Sequence, residues 1–202
     1  MVETHRYKLS FTATTLGLTE SINVAEIFLG CHDWEITKDI IIKDNPLQSR
    51  TITRNKRVAW EIVHRLSELT DSQLELLVEG LLEEQRLLLW FAICNYYQLI
   101  REFAIEVLHE KFLVMDTHLS EDDYQAFYLR KLDWHPELDQ ITESTKYKLR
   151  WVLFKMMREA GLLTEHGEII RVIPTIRLAQ VLRPHADFAY QIYPAFPNEF
   201  EV

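Results

Sequence analysis

Residues 82–115 read LEEQRLLLWFAICNYYQLIREFAIEVLHEKFLVM, and apolar side chains surround most of this segment. Helical spacing groups them into two stripes, Leu88/Phe91/Ala92/Asn95/Leu99 and Ile100/Phe103/Ala104/Val107/Leu108/Phe112. A helix that is apolar nearly all round is buried, so this segment predicts the centre of a helical core, as one long helix or two stacked ones. Its longest uncharged run, Leu87 to Ile100, has 14 residues and is shorter than the about 20 that a membrane span needs.

The composition of the whole chain also favours helices. The 202 residues are 48% hydrophobic but include only 5 Gly and 6 Pro, too few turn formers for a sandwich or a doubly wound sheet. Cys31 and Cys94 lack metal-type spacing, and the N-terminus lacks the apolar stretch of a secretion signal. We therefore expect an ordered, cytoplasmic protein without a membrane segment.

Around the central segment, the pattern predicts two regions. Residues 1–115 are expected to form a helical bundle, with a candidate helix-turn-helix near residues 33–69. In residues 116–202, Ser120 and Thr142 precede two helices, and two β-prone runs flank Glu165-His166-Gly167 as in a hairpin. The predicted fold is mainly α: a helical bundle followed by a winged-helix-like C-terminal region with a small β-hairpin and an irregular tail.

Charge is distributed unevenly along the chain. The net charge is −9, yet residues 70–145 alone carry 16 Asp/Glu against 5 Lys/Arg, which is −11. Basic residues cluster on either side, in Arg50–Arg65 and Lys146–Arg183. Because charges act within a Debye length of roughly 10 Å, a local basic stripe can bind a polyanion even on an acidic protein.

The predicted helix Glu143–Ala160 is the first candidate for function. Ser144, Lys148, Trp151, Lys155 and Arg158 share the face opposite its apolar stripe. Three further basic residues accompany them, Lys146 and Arg150 at the flank and Arg171 on the predicted hairpin. Cations beside an indole suit contact with DNA phosphates, although cations near a helix C-terminus also stabilise an ordinary amphipathic helix.

The second candidate opens the helix that follows the Asn45-Pro46 turn. Hydroxyl and basic side chains at a helix N-terminus can contact phosphates and base edges, and here they are Arg50, Thr51, Arg54, Lys56 and Arg57. The alternative for this segment is a solvated helix face. The two segments together define the predicted DNA-binding residues.

Signatures of catalysis are missing from the sequence. It has no Gly-rich phosphate loop and no Gly-x-Ser-x-Gly elbow, and His109-Glu110 lacks the second His of a zinc-protease helix. His135 and Glu137 have no partners at ligand spacing and are expected to order a turn rather than bind a metal. We expect no enzyme activity, no metal, no cofactor and no small-molecule substrate.

Several short motifs occur in one order over nearly the whole chain: Leu47-Gln48-Ser49-Arg50-Thr51, then Lys56-Arg57 and Arg65-Leu66, Glu84-Gln85-Arg86 with Leu88-Leu89-Trp90, Glu102-Phe103-Ala104 with Glu106-Val107-Leu108, Trp134-His135-Pro136-Glu137-Leu138, and Lys148-Leu149-Arg150 with Ala160-Gly161-Leu162-Leu163. In this order they resemble the BrxA family of the bacteriophage-exclusion (BREX) systems of bacteria. The resemblance implies a non-enzymatic, largely helical DNA-binding component, compared in places with the NusB antiterminator. It implies partners in a system with a DNA methyltransferase, an ATPase and a phosphatase-like protein. Matching positions for DNA contact are Arg50, Lys56, Arg57, Lys148 and Arg150.

The sequence therefore predicts a double-stranded DNA-binding component of a BREX system, which also contacts other BREX proteins. Two alternatives remain open. One is an assembly adaptor that docks other BREX proteins through the acidic helical middle. The other is an RNA-binding factor of the antitermination kind, which would use the same basic clusters.

Overall fold

The computed structural model describes residues 6–44 and 52–200, and it confirms a mainly helical fold. The α-helices are α1 (Leu18–Cys31), α2 (Trp34–Asp44), α3 (Ile52–Leu66), α4 (Asp71–Glu79), α5 (Leu82–Tyr96), α6 (Gln98–Phe103), α7 (Glu110–Leu113), α8 (Glu121–Leu132), α9 (Glu143–Glu159), α10 (Ile176–Leu182) and α11 (Ala186–Ala189). A π-helical segment, Ala104–His109, joins α6 to α7 without a break. Short 3₁₀ turns are Ser10–Ala13, Pro136–Leu138, Arg183–His185, Tyr190–Ile192 and Pro197–Glu199.

Helix starts follow the capping residues in the sequence. Thr70 and Gln73 form a reciprocal capping box at α4, in which the Thr70 N–H donates to Gln73 Oε1 at 3.0 Å. Ser120 forms the equivalent box with Asp123 at α8, and the Thr142 hydroxyl accepts from the Thr145 N–H at α9. Each cap satisfies backbone N–H groups that the first helical turn leaves unpaired.

The central segment consists of two stacked helical stretches. The chain is extended at Tyr97 (φ −110°, ψ 100°), which ends α5 before α6 begins. Trp90 of α5 is fully buried, and its indole N–H donates to the Ile192 carbonyl at 2.8 Å. Tyr193 is equally buried and donates its hydroxyl to the Leu87 carbonyl at 2.7 Å. The C-terminal residues therefore complete the core around α5.

Buried apolar residues from both predicted regions form one continuous core. The division into residues 1–115 and 116–202 remains a prediction, as does the helix-turn-helix, since its turn falls in residues 45–51, outside the described residues. In the part of the chain that the structure describes, no helix is long and apolar enough to cross a membrane.

The predicted β-hairpin, and the winged-helix-like region that depends on it, are not supported. Residues 6–44 and 52–200 contain no strand, only isolated bridges that join Leu163 to Ile169 and His118 to Glu168. Pairing stays this short because the chain turns away after Ile170, and the Val172 N–H donates to the Pro194 carbonyl at 2.9 Å. The tight turn itself is present.

Gly167 closes that turn. Its φ is +84°, and a Cβ there would lie 2.6 Å from the Leu119 carbonyl oxygen. Its own carbonyl accepts from the Leu119 N–H at 2.8 Å. Only glycine combines this backbone conformation with so close an approach, and the contact fixes the turn beside the start of α8.

Candidate nucleic-acid interface

The orientation of α9 is set by its inner face. Leu149, Val152, Leu153, Met156 and Met157 are all buried in the core. At the C-terminal end, Glu159 accepts hydrogen bonds from the Leu16 N–H at 2.8 Å and from the Thr15 hydroxyl at 3.0 Å. The opposite face of α9 is therefore held towards solvent.

That outward face contains the predicted residues Ser144, Lys148, Trp151, Lys155 and Arg158. Ser144 and Lys148 are exposed, and Trp151 is 48% exposed. The Lys155 ammonium lies 5.0 Å from the centre of the Trp151 ring, a favourable cation–π contact. We call Lys148, Trp151, Lys155 and Arg158 the α9 stripe.

Most cations on α9 have a carboxylate nearby. Lys146 pairs with Glu143 at 2.8 Å, and Arg150 pairs with Glu121 at 2.9 Å. The other two separations are longer, 3.8 Å from Lys155 to Glu159 and 3.9 Å from Arg158 to Glu165. Lys148 has no ion pair with any described residue. The positive potential of the α9 stripe is thus partly neutralised, least of all at Lys148.

A groove of about 280 Å³ lies between α9, the start of α8 and the Gly167 turn. Arg150, Trp151 and Arg158 line it from α9, and His118 and His166 line it from the other side. Arg158 Nε is buried there without a hydrogen-bond partner among the described residues. An unpaired guanidinium N–H beside a second arginine is suited to an anionic oxygen, because charged hydrogen bonds to phosphate are among the strongest in proteins.

Arg171 is held away from this groove. Its Nε donates to Glu199 Oε1 at 3.0 Å, its Nη2 contacts the same oxygen, and its guanidinium lies over the Phe196 ring at 5.3 Å. Arg171, which the sequence predicts to contact DNA, therefore holds the Pro197–Glu199 turn in place. DNA would have to displace the Glu199 carboxylate to reach the Arg171 guanidinium.

On the second predicted segment, Arg50 and Thr51 lie outside the described residues, as does the side chain of Arg54. Lys56 and Arg57 are exposed on the first turns of α3, and neither forms an ion pair within the described part of the chain. The structure thus keeps these two cations available for a ligand.

Sequence reasoning missed Trp60, which follows Arg57 by one helical turn and is 42% exposed. The Lys38 ammonium lies 4.3 Å from the centre of the Trp60 ring and pairs with Glu35 at 2.6 Å, and the His64 ring centre lies 5.8 Å from that of Trp60. We call Lys56, Arg57, Trp60 and Lys38 the α3 stripe. The i, i+3 spacing of Arg57 and Trp60 is a signal in the sequence, whereas Lys38 reaches this surface only through the packing of α2 on α3.

Arg65, in the same basic segment, is a structural residue. It is 2% exposed, and its guanidinium contacts Glu61 Oε1 at 3.1 Å and the Thr15 carbonyl at 2.6 Å. Burial lowers the pKa of Arg65, and the Glu61 carboxylate acts in the opposite direction. This pair fixes the N-terminal segment on α3 and is inaccessible to a ligand.

His135 and Glu137 order a turn. Tyr7 stacks on the His135 ring with 3.6 Å between ring centres, and the Tyr7 N–H donates to Glu137 Oε1 at 2.8 Å. Burial opposes ionisation of Glu137, but hydrogen bonds from Tyr7, from its own backbone and from His135 leave its pKa lowered. No cluster of three potential metal ligands occurs in the described ranges.

Many carboxylates of the acidic middle are used inside the fold. Glu102 accepts from the Tyr7 hydroxyl at 2.5 Å and from Gln98 at 2.7 Å, and it pairs with Lys131 at 2.5 Å. Burial alone would raise the pKa of Glu102, yet these three partners leave it below its ordinary value. The same holds for Glu84, which accepts from the Leu81 N–H at 2.7 Å and from the Thr175 hydroxyl. Sequence charge therefore overstates the free negative charge of this region.

The fold and these surfaces define a class: a mainly helical protein with two tryptophan-containing basic stripes on its exterior. Comparison with known proteins identifies the family. The BrxA family model matches residues 5–186, so the chain belongs to the BrxA family.

Two curated relatives carry the same family name. The "BREX protein BrxA" of Bacillus cereus (strain H3081.97) is 27% identical over 194 residues, which cover 94% of this chain and 96% of the relative. The "BREX protein BrxA" of Escherichia coli O9:H4 (strain HS) is 28% identical over 142 residues, or 70% of this chain and 67% of the relative. The fold also matches the crystal structure of an uncharacterized protein from Magnetospirillum magneticum. The TM-score is 0.79 at 18% identity, over 94% of this chain and 99% of that one.

Proposed function

We propose that this protein binds double-stranded DNA, without catalysis, as its part in a BREX phage-defence system. Membership of the BrxA family makes the chain a BREX component. The observation that carries the DNA proposal is the α9 stripe, where exposed Lys148, half-exposed Trp151 and Lys155 follow one another along an outward helix face.

The second support comes from the α3 stripe, which repeats the arrangement with Lys56, Arg57 and Trp60. If the two stripes contact about 4 to 6 phosphates, the logarithm of the binding constant should fall with the logarithm of salt at a slope of about −4 to −5. Because added salt weakens phosphate contacts, binding should be strongest at low ionic strength, although the overall charge of −9 repels DNA at longer range there.

The test is duplex affinity against salt concentration, measured by fluorescence anisotropy. Two triple variants reverse the charge of the two basic segments one at a time: Lys148→Glu/Lys155→Glu/Arg158→Glu in the α9 stripe, and Arg54→Glu/Lys56→Glu/Arg57→Glu at the start of α3. We expect each to weaken binding by more than about tenfold at low salt and to flatten the salt slope by about 2 to 3.

Arg130 provides a matched control. It is exposed near the end of α8 and, like Lys148, has no ion pair with a described residue. The single variants Arg130→Glu and Lys148→Glu change the net charge by the same amount; Lys148→Glu should flatten the salt slope and Arg130→Glu should leave it unchanged. Unaltered affinity and slope in both triple variants would refute the proposed surfaces, and stronger competition by duplex RNA than by duplex DNA would favour the antitermination-like alternative.

A second candidate, the assembly adaptor, has one observation in its favour. Leu81 and Leu82 at the start of α5, and Ile173 and Ile176 before and within α10, are 51–67% exposed. The two pairs flank Glu84, which bonds to both Leu81 and Thr175. An apolar surface of this kind beside exposed Glu79 and Glu83 would suit a partner protein with basic residues around an apolar contact. Wild-type protein that binds no nucleic acid at low salt would favour this candidate.

A further inference from the structure

A second groove, separate from the outward face of α9, lies between α8 and α9. Its volume is about 420 Å³, and its lining residues are Tyr124, Gln125, Tyr128, Glu143, Lys146, Tyr147 and Arg150. Ligand sites in proteins typically measure about 300–1,000 Å³ and combine aromatic walls with a few polar groups. Three tyrosines, one amide, two cations and the Glu143 carboxylate, which pairs with Lys146, fit that description.

Tyr124 gives this groove an unmet hydrogen bond. The residue is 3% exposed, and its hydroxyl is buried with no partner within the described ranges. Tyr124 lines the groove, and burial raises the pKa of its hydroxyl, with a smaller contribution in the same direction from Tyr128 and an opposing one from Arg150. Leaving such a group unpaired is unfavourable by about 1–3 kcal/mol. A ligand in the groove would remove that penalty.

Tyr128, one turn along the same helix, differs in this respect. Its hydroxyl donates to the Leu138 carbonyl at 2.6 Å and so holds the Pro136–Leu138 turn against α8. The two tyrosines share the groove, but only the Tyr124 hydroxyl is free to bond to a ligand.

Charge determines what kind of ligand fits. Lys146 and Arg150 line the groove, and the carboxylates that pair with them, Glu143 and Glu121, are 88% and 68% exposed. Such exposed carboxylates can turn into solvent at little cost, because surface ion pairs contribute only about 0–1 kcal/mol. A cationic ligand would meet two cations, and a purely apolar one would leave Tyr124 unpaired. An aromatic ring that can bond to the Tyr124 hydroxyl and that carries an anionic group would suit the tyrosine rings, the unpaired hydroxyl and the two cations.

We propose that the α8–α9 groove binds one nucleotide, with the base against the tyrosine rings and bonded to the Tyr124 hydroxyl, and the phosphate between Lys146 and Arg150. Tyr147 is 60% exposed and has the Arg150 guanidinium 5.4 Å from its ring centre, so a base can stack on the exposed part of the ring beside that cation. The nucleotide is either free or an unpaired residue of a DNA strand. The inference does not require duplex binding, although Lys146 and Arg150 are also among the residues predicted to contact DNA.

The experiment titrates the full chain with dAMP, with deoxyadenosine and with inorganic phosphate, by ligand-observed NMR. Wild type should bind dAMP more tightly than either fragment. Tyr124→Phe should lower the affinity for dAMP by roughly 3- to 10-fold, the range expected for one lost hydrogen bond. The same substitution should leave the melting temperature of the protein unchanged or raise it. Tyr128→Phe, the matched control, should lower the melting temperature and keep dAMP affinity within about twofold of wild type.

The source of the nucleotide is tested with two duplexes, one fully paired and one with a single unpaired adenine. A preference for the unpaired adenine that Tyr124→Phe abolishes assigns the groove to DNA, whereas dAMP binding without that preference assigns it to a free nucleotide. Absence of both dAMP binding and the preference would overturn the inference, and so would equal dAMP affinities of wild type and Tyr124→Phe. Failure to bind the paired duplex would overturn only the proposed function. Tyr147→Ala, at an exposed position, should also lower the affinity for dAMP, which gives a second check on the same groove.

Discussion

The α3 and α9 stripes contain the same residue types at similar helical spacing, but their surroundings differ. Each places one tryptophan, 42% or 48% exposed, beside basic side chains on an outward helix face. In the α3 stripe, the exposed Lys56 and Arg57 have no carboxylate partner among the described residues, whereas Lys38 pairs with Glu35 at 2.6 Å. On α9, Lys155 and Arg158 lie 3.8 and 3.9 Å from Glu159 and Glu165. Counting cations along a helix therefore shows where a basic surface lies, but not how much of its charge is available.

The inner faces differ as well. The buried stripe of α9 is wholly apolar, whereas α3 buries Arg65 together with Glu61. A cation on α3 can thus serve either the fold or a ligand, depending on which face it occupies. Substitutions on the two faces of one helix separate these roles.

The largest effect is expected at Arg65. Arg65→Met leaves Glu61 buried without its partner, and breaking a buried ion pair from one side typically costs about 3–5 kcal/mol of unfolding free energy. The Thr15 carbonyl also loses its donor. Chemical denaturation should show this loss, while Lys56→Gln/Arg57→Gln, on the exposed face, should change stability by less than about 0.5 kcal/mol.

The double variant Arg65→Met/Glu61→Leu checks the reason for that loss. Removing both charges should recover a large part of the stability, because no unpaired buried charge remains. A small effect of Arg65→Met alone would show that the two faces of α3 are less distinct than the burial indicates.

Much of the fold could be predicted because local signals determine it. Ser120 and Thr142 start helices where the sequence places them, and the apolar residues 87–100 lie at the centre of the core. The β-hairpin could not be predicted correctly. Its β-prone residues are present, but the length of a ladder depends on long-range partners, and here Val172 bonds to Pro194 instead.

In the candidate site, too, the sequence predicted what local periodicity determines and missed what depends on contacts between distant residues. Helix phase placed Lys148, Trp151 and Lys155 on one exposed face, since that depends only on periodicity. The ion pairs of Arg150 with Glu121 and of Arg171 with Glu199 join residues 28 or 29 positions apart, which periodicity within one helix does not reveal. Lys38 beside Trp60 was missed for the same reason.

The second prediction tests whether carboxylates restrain α9. Glu121→Gln/Glu165→Gln removes two exposed negative charges, one beside Arg150 and one near Arg158. Each arginine should then contact phosphate without displacing an internal anion. We expect duplex affinity at low salt to rise by roughly 3- to 10-fold, a gain that disappears as salt screens both partners.

Glu75→Gln/Glu79→Gln is the matched control, because both residues are exposed on α4 and lack described cation partners. It makes the same change in net charge, so a gain as large as that of Glu121→Gln/Glu165→Gln would attribute the effect to overall charge. Such a result would mean that the carboxylates beside α9 do not distinguish the two stripes.

The smallest effect compares two lysines of the α9 stripe, seven residues apart on one face. Lys148 has no carboxylate partner, whereas Lys155 lies near Glu159 and over the Trp151 ring. A lysine whose charge is already balanced by an internal carboxylate releases fewer salt ions when it meets a phosphate. Lys148→Gln should therefore reduce the magnitude of the salt slope by about 1, and Lys155→Gln by less than about 0.5. At low salt their duplex affinities should differ by roughly threefold, with Lys148→Gln the weaker binder. Equal slopes would mean that Glu159, which also holds Thr15 and Leu16, does not act as a counter-ion for Lys155, and the α9 stripe would then present as much free charge as the α3 stripe.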